Sequence, residues 1–375
     1  MHDYLGKDVP KLGFGLMRLP RLNGEESPVD MPQVKEMVDL FMQAGFTYFD
    51  TAYIYDDSEA AIKEALVDRY PRESYQLATK LPTWKAKSHG DIEAYFNESL
   101  RRTGVKYFDY YLLHNIGSIN PYAFERFDAW NYLLKRKEEG IIKHLGFSFH
   151  DCAQVLDEVL AKHAEVEFVQ LQINYADWES SYIQSRACYE TALKYQKPIV
   201  IMEPVKGGNL VALPPKALAE LTSFGSDASV ASWGMRFAGS LDDIITVLSG
   251  MSNLEQMRDN IATFTQFEPL NIAERTVIDR VVVELGKYRT IPCTSCGYCL
   301  DACPNSIAIP AIFDNMNDLT LYGNMESCRF SYFWETKGHK RGLASDCTQC
   351  GDCEEVCTQK IGIIKELERA VDIFE

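Results

Sequence analysis

The sequence predicts an α/β fold in which a closed (β/α)8 barrel is followed by a small C-terminal α+β domain. Eight strand-like runs alternate with helix-like segments in units of roughly 30 residues. Nine of the eleven cysteines lie beyond residue 290, where this alternation has stopped. We therefore expect the barrel to occupy residues 1–286 and a cysteine-rich domain to occupy residues 287–375. An open, doubly wound sheet is the alternative, because alternation alone does not distinguish the two architectures.

The strand-like runs are short apolar segments bounded by turn-forming residues. In chain order they are LGFGLM (12–17), FTYFD (46–50), YQLATKL (75–81), FDYYLLH (108–114), IIKHLGFS (141–148), EFVQLQIN (167–174), PIVIME (198–203) and ITVLSG (245–250). Between the first two, MPQVKEMVDLFMQAG has proline near its start and glycine at its end, as helices commonly do. Its apolar residues recur at the spacing of one buried helix face, namely at Val34, Met37, Val38, Phe41 and Met42.

Composition and charge limit the classes of partner. Hydrophobic residues make up 46% of the 375-residue chain and charged residues 25%, which is typical of a globular protein. A formal net charge of −16 argues against binding to a nucleic-acid backbone. The sequence contains no apolar stretch long enough to span a membrane, and its first ten residues do not resemble a signal peptide. We expect a cytoplasmic protein that binds neither nucleic acid nor membranes.

Two cysteine runs, CTSCGYCLDACP (293–304) and CTQCGDCEEVC (347–357), repeat the spacing C-x2-C-x2-C-x3-C, which is typical of ligands to 4Fe-4S clusters. In this spacing three thiolates hold one cluster, and the fourth cysteine turns away to the other cluster. We therefore expect two 4Fe-4S clusters with crossed ligands. The first would be held by Cys293, Cys296, Cys299 and Cys357, and the second by Cys347, Cys350, Cys353 and Cys303.

Structural zinc is the alternative use of paired cysteines, but eight cysteines as triplets plus one fit two cubane clusters better. The spare Cys328 lies between the two runs. A lone cysteine is more often an inert buried thiol than a ligand.

Polar side chains stand at the ends of successive strand-like runs. Asp50 closes the second run, Tyr55 lies just beyond it, Lys80 is late in the third, and His114 closes the fourth. Because a barrel builds its active site at the C-terminal ends of its strands, these residues are expected to meet there as catalytic groups. A neighbouring lysine lowers the pKa of a phenol from about 10, so Tyr55 is predicted to act as a general acid near neutral pH.

Each of these residues also has a purely structural interpretation. Asp50 is a candidate helix cap, although the residues nearer the next helix are better placed for that role. Lys80 would then be a surface lysine, His114 a hydrogen-bonded strand terminus and Tyr55 a packing residue.

Several segments resemble those of the aldo/keto reductases. FDTAYIYDDSEAAIKEAL, LATKL and YYLLHN are similar to that family's Asp-Tyr, lysine and histidine segments. GFGLMRLP and SGMSNLEQMRDN resemble its first strand and its adenosine-binding segment, and the resemblance extends over residues 4–265. The cysteine-rich tail resembles the ferredoxin-like dicluster domain attached to one branch of the family.

The resemblance implies a TIM barrel that binds NADPH without a Rossmann fold and reduces a carbonyl group. It implies that Tyr55 is the general acid, that Lys80 and Asp50 adjust the pKa of Tyr55, and that His114 orients the substrate carbonyl. The implied partner is a small-molecule carbonyl or alcohol. The aromatic side chains of Tyr53, Trp84, Tyr122 and Trp178 are candidates for the mouth of the site.

The resemblance also implies coenzyme contacts. Ser148 and Gln170 match the groups that bond the nicotinamide carboxamide, while Phe149 replaces the asparagine expected next and leaves His150 as a substitute. Met202 stands where an aromatic side chain often covers the nicotinamide ring. The remaining implied contacts are Gly15 and Met17 in the first strand, Pro204, Lys206, Gly207 and Gly208 in the pyrophosphate loop, and Gly250, Ser252, Gln256 and Asn260 in the adenosine segment.

NADP is expected ahead of NAD as the coenzyme, on the precedent of the family. Gly250 and Gln256 stand where NADP-preferring members often carry a basic side chain. Arg258 would supply that charge if it pointed inward.

Three functions stay open from the sequence. The first is NAD(P)H-dependent carbonyl reduction in the barrel, with clusters that relay electrons to or from a redox-protein partner. The second is the same reductase with clusters that only stabilise a tail with too little core to fold alone. The third is a nucleotide-binding, redox-sensing or electron-carrier module without carbonyl turnover. Hydride carries two electrons and each cluster takes one, and we find no flavin-binding motif that would separate the pair.

Overall fold

A computed structural model describes residue 5 and residues 9–23, 27–117, 123–225 and 228–375, and these form two compact units. The first unit comprises the described residues of Met1–Trp178, Ser185–Pro204 and Ala231–Leu270. The second comprises those of Glu179–Gln184, Val205–Val230 and Asn271–Glu375. Two segments from within the barrel sequence therefore group with the C-terminal residues. The predicted domain boundary after residue 286 stays a prediction.

The first unit is a closed barrel of eight parallel strands, in which β8 pairs with β1. The strands are β1 (Leu12–Gly15), β2 (Tyr48–Asp50), β3 (Gln76–Leu81), β4 (Phe108–Ile116), β5 (Ile142–Phe149), β6 (Phe168–Gln172), β7 (Ile199–Met202) and β8 (Ile244–Ser249). One strand lies in each predicted run, so the (β/α)8 prediction is confirmed and the open sheet is excluded. The first run ends as a strand at Gly15, because Leu16–Arg18 continue as a 3-10 turn.

In chain order the helices are α1 (Met31–Gln43), α2 (Ser58–Ile62), α3 (His89–Thr103), α4 (Ala123–Arg126), α5 (Ala129–Glu138), α6 (Ala153–Lys162), α7 (Ser185–Lys194), α8 (Pro215–Thr222), α9 (Val230–Gly239), α10 (Leu254–Thr265), α11 (Ile272–Gly286), α12 (Tyr298–Ala302), α13 (Ile309–Tyr322), α14 (Met325–Phe333), α15 (Asp352–Glu355) and α16 (Ile363–Phe374). Helix α1 begins where Asp30 accepts a hydrogen bond from the Gln33 backbone at 3.2 Å. Its predicted apolar face is buried except at Met42, which is partly exposed.

Side chains inside the barrel change from apolar to polar towards the C-terminal ends of the strands. The apolar part includes Tyr48, Ala78 and Phe168. Asp50, Lys80 and Gln170 stand two residues further along the same strands. Because side chains alternate between the two faces of a strand, these polar residues share the inward face of their apolar predecessors. The sequence thus sets three polar groups on top of a packed interior.

In the second unit the two cysteine runs fold as copies of one motif, offset by 54 residues (347 − 293). Ser295 and Gly297 have positive φ angles of 55° and 81°, and the matching Gln349 and Gly351 have angles of 58° and 89°. A short helix follows in each copy, α12 or α15, and then a longer one, α13 or α16. The two loops therefore have matching backbone conformations, and in each loop one of the two positive-φ positions is a glycine, which adopts positive φ without strain.

The core of this second unit contains cysteines as well as ordinary apolar residues. Cys299, Cys353 and Cys357 are buried together with Ile312 and Phe374. The described residues here are largely helical, with an isolated parallel bridge between Ile307 and Gly342. The predicted small C-terminal domain is therefore present.

The longest helices, α3 and α11, have 15 residues each, and a membrane-spanning helix needs about 20 apolar residues. None of the helices in the described ranges combines the length and the apolar character required to cross a membrane.

Candidate active site

Lys80 and Asp50 form a buried ion pair at the C-terminal ends of β3 and β2. Nζ of Lys80 lies 2.5 Å from Oδ1 of Asp50 and also donates to the backbone oxygen of Thr51 at 2.8 Å. The two residues are 0% and 3% exposed, which excludes the surface interpretation of Lys80. Burial alone would lower the pKa of Lys80, but Asp50 and Tyr55 together raise it above its ordinary value. The ammonium group therefore stays charged.

The loop after β2 carries Tyr55 over this ion pair. Nζ of Lys80 lies 4.9 Å from the centre of the Tyr55 ring. The loop is fixed by backbone hydrogen bonds from Tyr53 to the Lys80 oxygen at 3.3 Å and from Tyr55 to the Ala52 oxygen at 3.0 Å. Arg102 also donates to the backbone oxygen of Tyr53 at 3.0 Å. These contacts hold the phenol beside the ammonium group.

The pKa of Tyr55 moves in the direction opposite to the one predicted. Burial raises the pKa of the phenol above 10.0, and Asp50 and Glu203 add to this effect, while Lys80 lowers it by less than the rise. The prediction that Lys80 lowers the pKa below its ordinary value is therefore wrong, because burial outweighs a charge that Asp50 already compensates. Tyr55 consequently keeps its proton throughout the neutral range.

His114, on β4, lies beside the Tyr55 ring. Its ring lies 5.8 Å from the Tyr55 ring at 85° and 5.2 Å from the Trp84 ring. Burial, together with the charge of Lys80 and the proximity of His150, holds the pKa of His114 well below 6.5. Its imidazole is therefore neutral, with one donor and one acceptor nitrogen. Within the described ranges Nδ1 is buried and has no hydrogen-bond partner.

The aromatic residues predicted to line the mouth of the active site do not all lie beside the catalytic candidates. Trp84 contacts the catalytic candidate His114. The ring of Tyr53 lies under the Arg102 guanidinium at 4.4 Å, and Trp178 packs between aromatic rings of the first unit. Tyr122 lies outside the described residues.

The predicted carboxamide contacts lie next to each other, because Ser148 of β5 pairs in register with Gln170 of β6. Oε1 of Gln170 is buried and lacks a hydrogen-bond partner among the residues that the structure describes. Oγ of Ser148 accepts a hydrogen bond from the Asn115 backbone at 2.9 Å. An unpaired buried amide costs about 1–3 kcal/mol, so this site suits a ligand that donates an N–H group.

Phe149, which replaces the expected asparagine, is 2% exposed and packs against Phe147 with ring centres 6.2 Å apart. Successive side chains of a strand point to opposite faces, so Phe149 points away from the face that carries Ser148. His150 is exposed at the end of this strand.

The other predicted coenzyme positions of the first unit also lie at strand ends. Gly15 ends β1, Met202 ends β7, and Pro204 is buried two residues later. Met17 is 45% exposed in the turn after β1. A side chain at Gly15 would approach the Ser249 backbone oxygen to 3.4 Å, so the ends of β1 and β8 are close together.

In the predicted adenosine segment two side chains already have internal partners. Oε1 of Gln256 accepts from the Ser252 backbone at 2.8 Å. Nδ2 of Asn260 donates to Oγ of Ser249 at 2.9 Å. Arg258 is exposed and lies 3.5 Å from Glu36 of α1, so it does not point inward as the NADP interpretation needed.

Sequence reasoning missed Arg18. A side chain added at Gly250 would come within 3.8 Å of Arg18, and the Arg18 guanidinium lies 3.4 Å from Glu203. Arg18 is part of the motif GFGLMRLP. It comes close to Gly250, the residue after β8, only because β8 pairs with β1 when the barrel closes. A positive charge therefore stands beside Gly250, one of the two positions at which the resemblance implies that NADP-preferring members often carry a basic residue.

The predicted pyrophosphate loop is divided between the units, because Pro204 belongs to the first and Lys206, Gly207 and Gly208 belong to the second. Lys206, Gly207 and Gly208 all have positive φ angles, of 49°, 63° and 97°. Nζ of Lys206 lies 3.1 Å from Oδ2 of Asp318 on α13. The Lys206 ammonium, which the resemblance predicts to bind a phosphate, thus already has a carboxylate partner.

The second unit contains a cavity lined by four of the predicted iron ligands. They are Cys303, Cys347, Cys350 and Cys353, the set expected for the second cluster. Pro304 and Gly351 also line this cavity. The fourth ligand of the first run therefore lies with the three leading ligands of the second run.

The other four predicted ligands lie together as well. Cys293 interacts electrostatically with Cys296 and Cys357. Sγ of Cys296 is 3.8 Å from the hydroxyl of Thr358, the residue after Cys357. Cys299 interacts with Cys293 and Cys296. The spare Cys328 is buried, and burial raises the pKa of its thiol to about 12, as expected of an inert thiol.

Comparison with known protein families identifies both parts of the chain. The Aldo/keto reductase family matches residues 11–282, and a 4Fe-4S dicluster domain matches residues 292–362. The chain belongs to the aldo/keto reductase family, and it carries a 4Fe-4S dicluster domain C-terminal to the barrel. The predicted aldo/keto reductase family is thereby confirmed.

Particular relatives are more distant. An aldo-keto reductase of Mycolicibacterium vanbaalenii is 28% identical over 262 residues, which are 68% of this chain and 83% of that protein. The methylglyoxal reductase DkgA of Salmonella typhimurium is 28% identical over 41% of this chain and 51% of its own length. The chain spans about half the length of several of the curated relatives that it matches.

Solved structures share the barrel. The crystal structure of an aldo-keto reductase from Klebsiella pneumoniae in complex with NADPH has a TM-score of 0.58 with this chain. It is 20% identical and covers 73% of this chain and 91% of its own. At this identity the likeness establishes the fold.

Proposed function

We propose that this protein reduces a small-molecule carbonyl with NAD(P)H and that Tyr55 is its general acid. The observation that carries the proposal is the convergence of three groups on the Tyr55 ring. The Lys80 ammonium lies 4.9 Å from its centre, the neutral His114 ring lies at 5.8 Å, and Asp50 anchors Lys80. A solved relative in complex with NADPH and another named methylglyoxal reductase support this coenzyme and a small carbonyl substrate.

Each residue has a distinct role in the proposed reaction. When bound, the reduced nicotinamide supplies the hydride. Tyr55 gives its proton to the carbonyl oxygen as that oxygen becomes an alcohol. The Lys80 ammonium stabilises the phenolate that remains, and Asp50 keeps Lys80 in position. His114, being neutral, donates a hydrogen bond to the carbonyl oxygen and orients it before proton transfer.

The described residues fit the proposed coenzyme. The unpaired oxygen of Gln170 would accept the carboxamide N–H, and Met202 would cover the nicotinamide ring with its thioether. Arg18 beside Gly250 supplies the positive charge that Arg258 does not, which supports NADP ahead of NAD. Glu203 offsets part of that charge. If Arg18 selects NADP, Arg18→Met should weaken NADPH binding more than NADH binding in a fluorescence titration.

We also propose two 4Fe-4S clusters with the crossed ligand sets. The cavity that contains Cys303 together with Cys347, Cys350 and Cys353 supports the second set. The matched φ angles of the two loops support equivalent clusters. When bound, each cluster supplies one-electron chemistry.

The proposed role of the dicluster domain is to exchange electrons with a redox-protein partner. Cys296 and Cys350 are exposed, and Cys299 of one set interacts with Cys353 of the other, so the sites are open to a partner and adjacent to each other. A purely stabilising role is the competing proposal, and it fits the sharing of one core by Cys299, Cys353 and Cys357.

One experiment separates the two roles. The protein is purified without oxygen, its iron and sulfide are measured, and NAD(P)H is added with a redox mediator. Bleaching of the cluster absorbance supports electron exchange. Unchanged absorbance alongside normal carbonyl turnover supports the stabilising role.

A further inference from the structure

The two cysteine runs of the second unit can be compared position by position, because their loops share one backbone conformation. The match continues beyond the last cysteine of each run. The backbone N–H of Ser306 donates to the oxygen of Cys303 at 3.1 Å, and that of Lys360 donates to the oxygen of Cys357 at 3.2 Å. Ser306 and Lys360 also have positive φ angles of 50° and 53°. Side chains that differ at matched positions therefore give two equivalent loops different surroundings.

A carboxylate stands beside the second ligand set. Glu354 directly follows Cys353 and interacts electrostatically with it. Oε1 of Glu354 accepts a hydrogen bond at 2.9 Å from the backbone of Ile364, which lines the cavity that contains Cys353. The residue at the matching position of the first run is Leu300, which carries no charge.

A further acidic residue distinguishes the second run. Asp352, directly before Cys353, matches the uncharged Tyr298, and both side chains are exposed. Asp301 and Glu355 also occupy matching positions, but both are acidic and so do not distinguish the two loops. The second run therefore carries two more acidic side chains than the first.

A basic residue accompanies the first ligand set instead. In the proposed crossed pairing, Cys357 joins the first set and Cys303 joins the second. Lys360 is exposed and follows Cys357, to which its backbone is bonded. The matching residue beside Cys303 is Ser306, which is uncharged. A positive side chain thus stands near a ligand of the first set where the second set has none at the matching position.

A hydroxyl group also favours the first set. Oγ1 of Thr358 lies 3.8 Å from Sγ of Cys296, within hydrogen-bonding reach of a sulfur atom. When Cys296 is a thiolate, it accepts this hydrogen bond and the hydroxyl donates it. The residue that matches Thr358 is Pro304, which has neither a hydroxyl nor a backbone N–H to offer.

These four differences act in the same direction. Nearby charge and hydrogen bonds to the sulfur atoms adjust the reduction potential of an iron–sulfur site. A carboxylate opposes the negative charge that reduction adds, whereas an ammonium group or a hydroxyl donor stabilises it. We infer that these side chains make the ligand set of Cys293, Cys296, Cys299 and Cys357 the easier of the two to reduce.

The inference rests on the proposed pair of clusters and gives the proposed electron exchange a direction. One electron supplied by a one-electron reductant settles at the first set, whichever set receives it. In that transfer the second set is oxidised and the first is reduced, and neither a proton nor a bond moves. A partner that accepts single electrons would draw them from the side of Cys296, which is exposed.

The test is a potentiometric titration of the cluster-loaded protein without oxygen, followed by electron paramagnetic resonance. Two midpoint potentials are expected. Cys296→Ser and Cys350→Ser, which change matching positions, assign the two signals to the two ligand sets. The signal with the higher midpoint should be the one that Cys296→Ser perturbs.

Charge variants test the residues themselves. Glu354→Gln keeps the acceptor oxygen for Ile364 but removes the charge, so it should raise the lower midpoint. Lys360→Met should lower the higher midpoint, and either change narrows the gap. Glu326→Gln removes a charge from an exposed position of α14, outside both runs, and should leave both midpoints unchanged.

The outcomes separate the inference from the proposal on which it rests. If the protein holds two clusters with one common midpoint, or if Cys350→Ser perturbs the signal with the higher midpoint, the inference fails while the proposed clusters stand. A gap that neither Glu354→Gln nor Lys360→Met alters would also contradict it. If iron and sulfide analysis finds fewer than two clusters, the proposed pair fails and the inference fails with it.

Discussion

The ammonium group of Lys80 stands 4.9 Å from the centre of the Tyr55 ring while it is bonded to Asp50 at 2.5 Å. Lys80 thus has one permanent anionic partner and one partner that becomes anionic only when Tyr55 gives up its proton. Asp50 is buried and fixed, so the electrostatic change during the proposed reaction falls on Tyr55. This arrangement favours proton transfer to a substrate without leaving Lys80 uncompensated in the resting state.

The pH dependence of carbonyl reduction follows from the direction of the Tyr55 shift. Because burial raises the pKa of Tyr55 above 10.0, the phenol remains protonated and active across the neutral range. His114 stays neutral, because its pKa lies well below 6.5. We expect kcat/KM for reduction to be level through neutral pH and to fall only when the pH rises above about 10. A fall centred between about pH 7 and 9 would instead support the lowered pKa that the sequence suggested.

The stability of the barrel should depend on keeping the ion pair intact. Lys80→Met leaves the buried carboxylate of Asp50 unpaired, and breaking a buried pair in this way costs about 3–5 kcal/mol of unfolding free energy. The double variant Asp50→Asn/Lys80→Met removes both charges and should recover part of the loss. Denaturant unfolding, followed by a probe in the barrel, measures both. Equal stability of wild type and Lys80→Met would show that the pair is not buried as described.

Much of this architecture was predictable, because it depends on local patterns. Each apolar run contains a strand, and the repeated cysteine spacing gives matched loops with glycine at Gly297 and Gly351. Asp50, Lys80 and His114 were found through their positions near strand ends, which the barrel brings to one edge.

Other features depend on tertiary structure and were not predictable. The pKa of Tyr55 depends on how much water the folded site excludes, and the sequence does not reveal that quantity. Arg18 acquires its neighbour Gly250 only through the closure of β8 onto β1. The partners of Lys206 and Asn209 lie more than a hundred residues further along the chain, within the same second unit.

The crossed cluster ligation can be tested with Cys303. This residue belongs to the first run in sequence but lies in the cavity with Cys347, Cys350 and Cys353. Cys303→Ser should therefore perturb the same cluster as Cys350→Ser and leave the signal that Cys296→Ser perturbs. Electron paramagnetic resonance of the reduced variants, with iron analysis, makes the comparison. If Cys303→Ser matched Cys296→Ser instead, the uncrossed assignment would be correct.

The proposed acid is tested most directly by the single-turnover reduction rate of Tyr55→Phe, measured with saturating NADPH and a reducible aldehyde. Loss of a general acid lowers a rate by about 10²–10⁴-fold, so we expect a loss in that range with an unchanged NADPH dissociation constant. Tyr53→Phe removes a neighbouring hydroxyl and should keep the wild-type rate. A Tyr55→Phe rate within a few-fold of wild type would contradict the assignment of Tyr55 as the proton donor.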